Sequence, residues 1–311
     1  MSDPIAPPDG FLIGHWTDSA GATGCTVVIA PPDARGGVDV RGGGPGTRET
    51  DVIGPLAGAH EVTAVTLTGG SAFGLAAADG VMRWCEERGR GYATPGGPMP
   101  IVPAAVIYDL AAGDSAARPG AEQGYAACEA AAPGVPERGR VGAGTGAAVG
   151  KILGRKGATP TGVGYAAART GIGHTVAALA VANAFGDLIG ADGEVLAGLR
   201  AGGEAHGSTA ATVAAMRTAP DWRELEEHNT TLVCVLTDAP LDKQSCTRVA
   251  QMASAGVARA VDPVFSDVDG DVAFCLASGA PATADRFVGL AVGTVAATVT
   301  AAAIRDAARA G

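Results

Sequence analysis

The last quarter of the chain constrains the fold most, because strand-like and helix-like runs alternate there almost without interruption. "TLVCVLTDA" (231–239) is a short β-branched, apolar run that reads as a strand. "DKQSCTRVAQMASAG" (242–256) follows with the pattern of a helix, "DVAFCLAS" (271–278) is a second strand, and an Ala-rich helix closes the chain. Upstream, "TGCTVVIA" and "EVTAVTLT" read as strands, and "HTVAALAVANAFGDLI" as an apolar strand and a turn. "SAFGLAAADGVMRWCEERG" reads as a helix that opens after Gly69-Gly70, with Ser71 as candidate N-cap, and stops at Gly89. Buried strands with helices before and after them imply an α/β sandwich rather than a bundle or a barrel. Residues 111–140, rich in Ala, Gly and Pro, read as an irregular surface excursion. No repeat and no linker divides the 311 residues.

Aromatics make up only 4% of the chain, against 48 glycines and 47% hydrophobic residues, so the core is one of small side chains and closely approaching backbones. A formal net charge of −10 argues against nucleic acid as a partner, since phosphate binding needs a basic surface. Phe287 to Ile304 carries no charge over eighteen residues. Its Ala, Val, Thr and Gly content reads as a buried helix and not as a membrane span. The N-terminus lacks a basic stretch followed by an apolar one, and none of the six cysteines forms a CxxC pair. A cytoplasmic protein with reduced thiols is expected, with no metal and no cofactor.

Several stretches imitate known sites. "VGAGTGAAVGKILG" (141–154) satisfies a loose dinucleotide fingerprint, but no Asp or Glu lies between Glu137 and Asp187 to hold a ribose, and Ile152 follows Lys151 where a P-loop needs Ser or Thr. What remains is a glycine-rich turn presenting Lys151, either at the surface or partly buried. "TGGSAFG" fails as a nucleophile elbow because Phe73 stands where the second Gly is required. "DVDGDVAF" (267–274) lacks the calcium-loop spacing. Asp269 and Asp271, two apart at a strand entrance, point the same way, either into a shared site or to water. The histidines (His15, His60, His174, His206, His228) form no metal set and no triad.

Asn229-Thr230-Thr231 opens the strand at 231. It is either a polar lead-in or a place where the chain cuts itself. A Thr hydroxyl can attack the carbonyl before it, move the acyl group from nitrogen to oxygen, and leave an ester for water to release. Thr230 then becomes an N-terminus whose amine, with an ordinary pKa of roughly 8, serves as the base for its own hydroxyl. No histidine is needed.

Seven stretches occur in an order that resembles the P1 family of self-processing peptidases: "RGGGPGTRETD" (41–51), "LTGGSAFGLAAADGVMRW" (67–84), "PIVPAAVIYDL" (100–110), "GAGTGAAVGKILG" (142–154), "VANAFGD" (181–187), "NTTLVCVLTDAPLDK" (229–243) and "DGDVAF" (269–274). That family holds the DmpA-like aminopeptidases, the β-peptidyl aminopeptidases and the 6-aminohexanoate-oligomer (nylon-oligomer) hydrolases. The resemblance implies a four-layer αββα sandwich of the N-terminal-nucleophile-like (DmpA/ornithine acetyltransferase) type. It implies one hydrolase domain over 1–311, cut between Asn229 and Thr230 into 1–229 and 230–311. By position it implies Thr230 as nucleophile, Lys151 as the cation beside it and Asn183 as oxyanion donor. Asp269 and Asp271 are implied to orient the amine and hydroxyl, and Tyr108 to line the pocket. Asn-Thr at the cut resembles the nylon-oligomer hydrolases, so small linear amides or peptides are the expected substrates. Aminopeptidase action, acyl transfer of the ornithine acetyltransferase type, and an uncut binding protein are the alternatives. With charged residues at only 17%, a homo-oligomer, a tetramer among the possible orders, is expected.

Overall fold

The computed structural model describes residues 4–58, 61–200, 206–218, 229–280 and 285–311. His60, His228 and the charged run preceding Asn229 lie outside these. Among the described residues, two five-stranded sheets are built from β1 (Leu12–Asp18), β2 (Thr23–Ile29), β3 (Arg35–Val40), β4 (Thr47–Arg48), β5 (Ala64–Thr68), β6 (Ala104–Val106), β7 (Val163–Arg169), β8 (Thr175–Asn183), β9 (Thr230–Thr237) and β10 (Val272–Ala277). The first sheet runs β1–β2–β5–β6–β4 and the second β7–β8–β9–β10–β3. Both are mixed: β5–β6 and β9–β10 are parallel pairs, the others antiparallel.

Side-chain alternation makes each sheet two-faced. On the inner faces, Val28, Leu67 and Ile107 meet Leu179, Leu232, Leu236 and Phe274. On the outer face of the second sheet, Val233, Val235 and Cys275 pack under α4 (Lys243–Ala258) and α5 (Arg286–Ala310). On the outer face of the first, Val27 and Ile29 pack under α1 (Ala77–Glu87) and α2 (Ala121–Glu129). The result is a four-layer αββα sandwich, as expected. Asp242 caps α4 by accepting from Ser245 N at 2.7 Å. The charge-free stretch lies in α5, whose Val292, Ala296, Val299, Ala303 and Ile304 are buried against the second sheet and α4.

Two expectations are corrected. Residues 111–140 are not irregular throughout: they contain α2, whose Gly124, Ala127 and Cys128 are buried against β1, β2 and α1. An Ala- and Gly-rich helix offers little contrast between its faces, so periodicity does not reveal it. Ser71 does not cap a helix. It sits at φ 52° inside a 3₁₀ turn (Ser71–Ala76) that precedes α1, and Gly70 holds the cap position with no side-chain bond. Here the chain is turned by a bond from Ser71 N to Ile107 O at 3.0 Å.

Candidate active site

Asn183 and Thr230 are paired residues on the antiparallel neighbours β8 and β9. Val181 and Leu232, two positions along each strand, belong to the layer between the sheets. Alternation therefore turns the Asn183 and Thr230 side chains into the end of that same layer. Both are buried, at 0% and 4% exposure.

Lys151 is brought to them by the glycine-rich turn. Gly150 N and Lys151 N donate to Gly186 O (2.9 Å) and Phe185 O (3.1 Å), so the turn runs alongside the end of β8. Gly150 has φ +73°, and a Cβ there would lie 2.1 Å from Leu199 N, so no other residue fits. Lys151, at 2% exposure, is buried rather than a surface lysine. Its Nζ donates to Asn183 O at 3.0 Å and Asn183 Oδ1 at 2.8 Å. Ala148 N donates to the same Oδ1 at 3.2 Å. Two donors on Oδ1 fix which way the amide points and leave Nδ2 as its donor end. Nδ2 donates to Tyr108 O at 3.3 Å, which links the second sheet to the segment just after β6 of the first.

The carbonyl ahead of Thr230 is held on both sides. Asn229 O accepts from Gly270 N at 2.6 Å and from Thr230 Oγ1 at 2.5 Å. Asn229 N in turn donates to Val268 O at 3.1 Å.

Ahead of β10 an isolated parallel bridge pairs Asn229 with Asp269, continuing the β9–β10 register. Asp269 and Asp271 precede β10, and neither is bonded to the Thr230 hydroxyl among the described contacts. Asp269 accepts from Phe185 N (3.1 Å), Ser266 N (3.1 Å) and Ser266 Oγ (2.5 Å). Asp271 accepts from Thr231 N (2.5 Å) and Phe265 N (3.2 Å). Both carboxylates are buried and grip the backbone around Thr230. Burial first, and then the charge of Asp269, pushes the Asp271 carboxyl up to about 7.

A cleft of about 690 Å³ opens beside these residues, lined by Ile152, Phe185, Val213, Met216, Arg217 and Val268 among others. Ile152 follows Lys151, Val268 precedes Asp269, and Phe185 lies two residues past Asn183. The cleft is thus lined by sequence neighbours of the site residues rather than by Thr230, Lys151 or Asn183 themselves. Val213 and Met216 come from α3 (Thr209–Ala215) and its end. That helix is tied down by Asp187, which accepts from Thr209 N and Thr209 Oγ1 at 2.6 and 2.7 Å.

Sequence reasoning brought Thr230, Lys151, Asn183, Tyr108, Asp269 and Asp271 to one region, and the fold places all six there. It gave no role in the site to Gly270, noted only as misplaced for a calcium loop, nor to Ser266, which fixes Asp269. It also passed over Asp109, beside Tyr108, which accepts from Gly70 N and Thr23 Oγ1 at 2.7 Å each and is pushed up by burial.

The family model for peptidase family S58 matches residues 5–310. An uncharacterized aminopeptidase of Mycobacterium leprae is 44% identical over 292 residues, 89% of this chain and 76% of that protein. A 6-aminohexanoate-oligomer endohydrolase of a Kocuria species is 31% identical over 278 residues, 86% of this chain and 72% of that protein. Among solved structures, a β-aminopeptidase of a Burkholderia species superposes with TM-score 0.70 at 23% identity, covering 96% of this chain and 84% of that one. The L-aminopeptidase D-Ala-esterase/amidase of Ochrobactrum anthropi, described as a variant of the Ntn-hydrolase fold, superposes with TM-score 0.70 at 20% identity, covering 99% and 88%.

Proposed function

The chain belongs to peptidase family S58 and so is a hydrolase of amide bonds, and from that premise we propose that it cuts itself between Asn229 and Thr230 and then uses Thr230 as its nucleophile. The observation that carries the proposal is the Thr230 hydroxyl lying 2.5 Å from the carbonyl oxygen of the bond to be cut, with Asn183 paired across from it and Lys151 bonded to Asn183.

In hydrolysis, Thr230 Oγ attacks the substrate carbonyl and its proton passes to the Thr230 α-amine. The oxyanion is held by the second N–H of Asn183 Nδ2, the first being engaged by Tyr108 O. Lys151 on Oδ1 prevents that amide from flipping and polarises it, so that Nδ2 donates more strongly. The amine then protonates the leaving nitrogen, and a water activated by the same amine releases the acyl group. No histidine takes part, and all atoms come from the chain, the substrate and water.

The cleft, apolar over Ile152, Phe185, Val213, Met216 and Val268 with Arg217 and Asp267 beside them, favours substrates with an uncharged, extended chain next to the amide, such as 6-aminohexanoate oligomers. Aminopeptidase action is the second reading, and the 44% identity to the mycobacterial protein named as one favours it. Hydrolysis rates on 6-aminohexanoate oligomers and on short peptides with a free N-terminus decide between them. If acetylornithine with an amine acceptor gave acetyl transfer faster than either was hydrolysed, acyl transfer would replace both. The exposed Leu56, Phe73, Phe287 and Leu290 support a homo-oligomer. Six free, buried cysteines support a reducing compartment such as the cytoplasm.

A further inference from the structure

We infer that self-cleavage and substrate hydrolysis use different oxyanion donors, and that the donor for self-cleavage is the backbone N–H of Gly270. The inference rests on the reading of Thr230 as a self-generated nucleophile. In the uncut chain the carbonyl to be attacked, that of Asn229, already accepts from Gly270 N at 2.6 Å. Asn183 makes no bond to it among the described contacts: its Oδ1 is taken by Lys151 and Ala148, and its Nδ2 donates to Tyr108 O.

The Gly270 N–H is held in place from both sides. Before it, Asp269 O accepts from Gly44 N at 2.8 Å while the Asp269 side chain is fixed by Phe185 and Ser266. After it, Asp271 O accepts from Arg41 N at 3.0 Å while the Asp271 side chain is fixed by Thr231 and Phe265. A donor held this way needs no reorganisation as charge develops on the carbonyl oxygen. The two buried carboxylates therefore have a task that needs no contact with the hydroxyl: they hold the donor and the attacked bond in one frame. The residue must also be glycine, because a Cβ at 270 would lie 2.8 Å from Thr230 Oγ1 and 2.9 Å from Gly44 O.

In the step itself, a bond forms between Thr230 Oγ and the Asn229 carbonyl carbon, and the tetrahedral oxyanion stays on Gly270 N–H. The bond from that carbon to Thr230 N breaks, and the hydroxyl proton ends on that nitrogen. Water then cleaves the ester, restoring the hydroxyl and leaving a carboxylate on Asn229.

The test replaces Gly270 by glycolic acid, incorporated as an α-hydroxy acid during cell-free synthesis of the full chain, which deletes the N–H and adds no side chain. Intact mass against time measures self-cleavage. The control makes the same replacement at Gly139, whose N–H donates to Val163 O at 2.7 Å away from the site. The expected result is cleavage slowed about a hundred- to a thousandfold at position 270 and little changed at 139. Unchanged cleavage at 270, or equal slowing at both positions, overturns the inference while leaving Thr230 as nucleophile. A Thr230→Ala chain that is still cut at the same bond overturns the underlying reading instead.

Discussion

Lys151 is tied to Thr230 through Asn183: its ammonium bonds both oxygens of the residue that pairs with Thr230 across the sheet. A buried cation is costly unless it is fully engaged, and here that engagement sets the direction of an amide. The arrangement joins three stretches far apart in sequence into one device, and its consequences can be measured.

Lys151→Met retains most of the side chain's length and removes the charge. The Asn183 amide then loses its stronger anchor, keeping only Ala148 N on Oδ1. Turnover of an amide substrate is expected to fall about a hundred- to a thousandfold, the usual cost of one oxyanion donor. Steady-state kinetics on processed protein checks this, with the loss expected in kcat more than in KM.

Asp271 gives a pH dependence whose sign is fixed. Its carboxyl titrates at about 7 when folded, above its ordinary 3.8. The folded chain thus holds that proton more tightly than the unfolded one. Stability from this group is complete below about pH 4 and is lost as pH rises from about 4 to about 7. In a Thr230→Ala background, where no new amine is released nearby, denaturant unfolding at pH 5 and pH 8 should show the greater part of this loss. Asp271→Asn should remove most of it.

On the proposed reading the cleft wall governs substrate and not self-cleavage. Met216→Glu replaces an apolar part of a lining that already holds Arg217 and Asp267 with a further negative charge. An extended apolar substrate must then meet that charge, and KM is expected to rise about tenfold or more. The rate of cutting at Asn229–Thr230 should not change, which intact mass would record.

Packing of α4 on α5 depends on Gly256, where a Cβ would lie 2.2 Å from the backbone oxygen of Ala297. Gly256→Ala gains about 1 kcal/mol of helix propensity. The clash is with main chain, which yields poorly, and overpacking costs typically about 1–3 kcal/mol. A net loss of about 1 kcal/mol or more is expected in thermal unfolding. Activity per folded molecule should be retained, because the sheet separates this contact from Thr230.

The strands at 231–239 and 271–278 and the helix between them were legible because β-branched runs, an Asp cap and helical spacing all agree locally. The ordered motifs were legible as a resemblance, and the fold brings the Lys151, Asn183 and Thr230 they single out into contact. α2 was not legible, since Ala121–Glu129 buries itself through Gly and Ala and shows no strong apolar stripe. Asp269 and Asp271 keep strand register ahead of β10, since Asn229 bridges Asp269 with the same offset by which Leu232 pairs with Val272, and both are buried; the backbone amides they accept from left no signal in the sequence. Gly270 was silent because a backbone N–H has no letter in a sequence, and only the fold shows what it is aimed at.

On the proposed reading the bond before Thr230 breaks and Thr230 then carries the chemistry. Intact mass with N-terminal sequencing of the purified protein tests it most directly. The account expects two chains, 1–229 and 230–311, the second beginning Thr-Thr-Leu-Val, with neither cutting nor amide hydrolysis in Thr230→Ala. A single uncut chain that hydrolyses amides at full rate would contradict it.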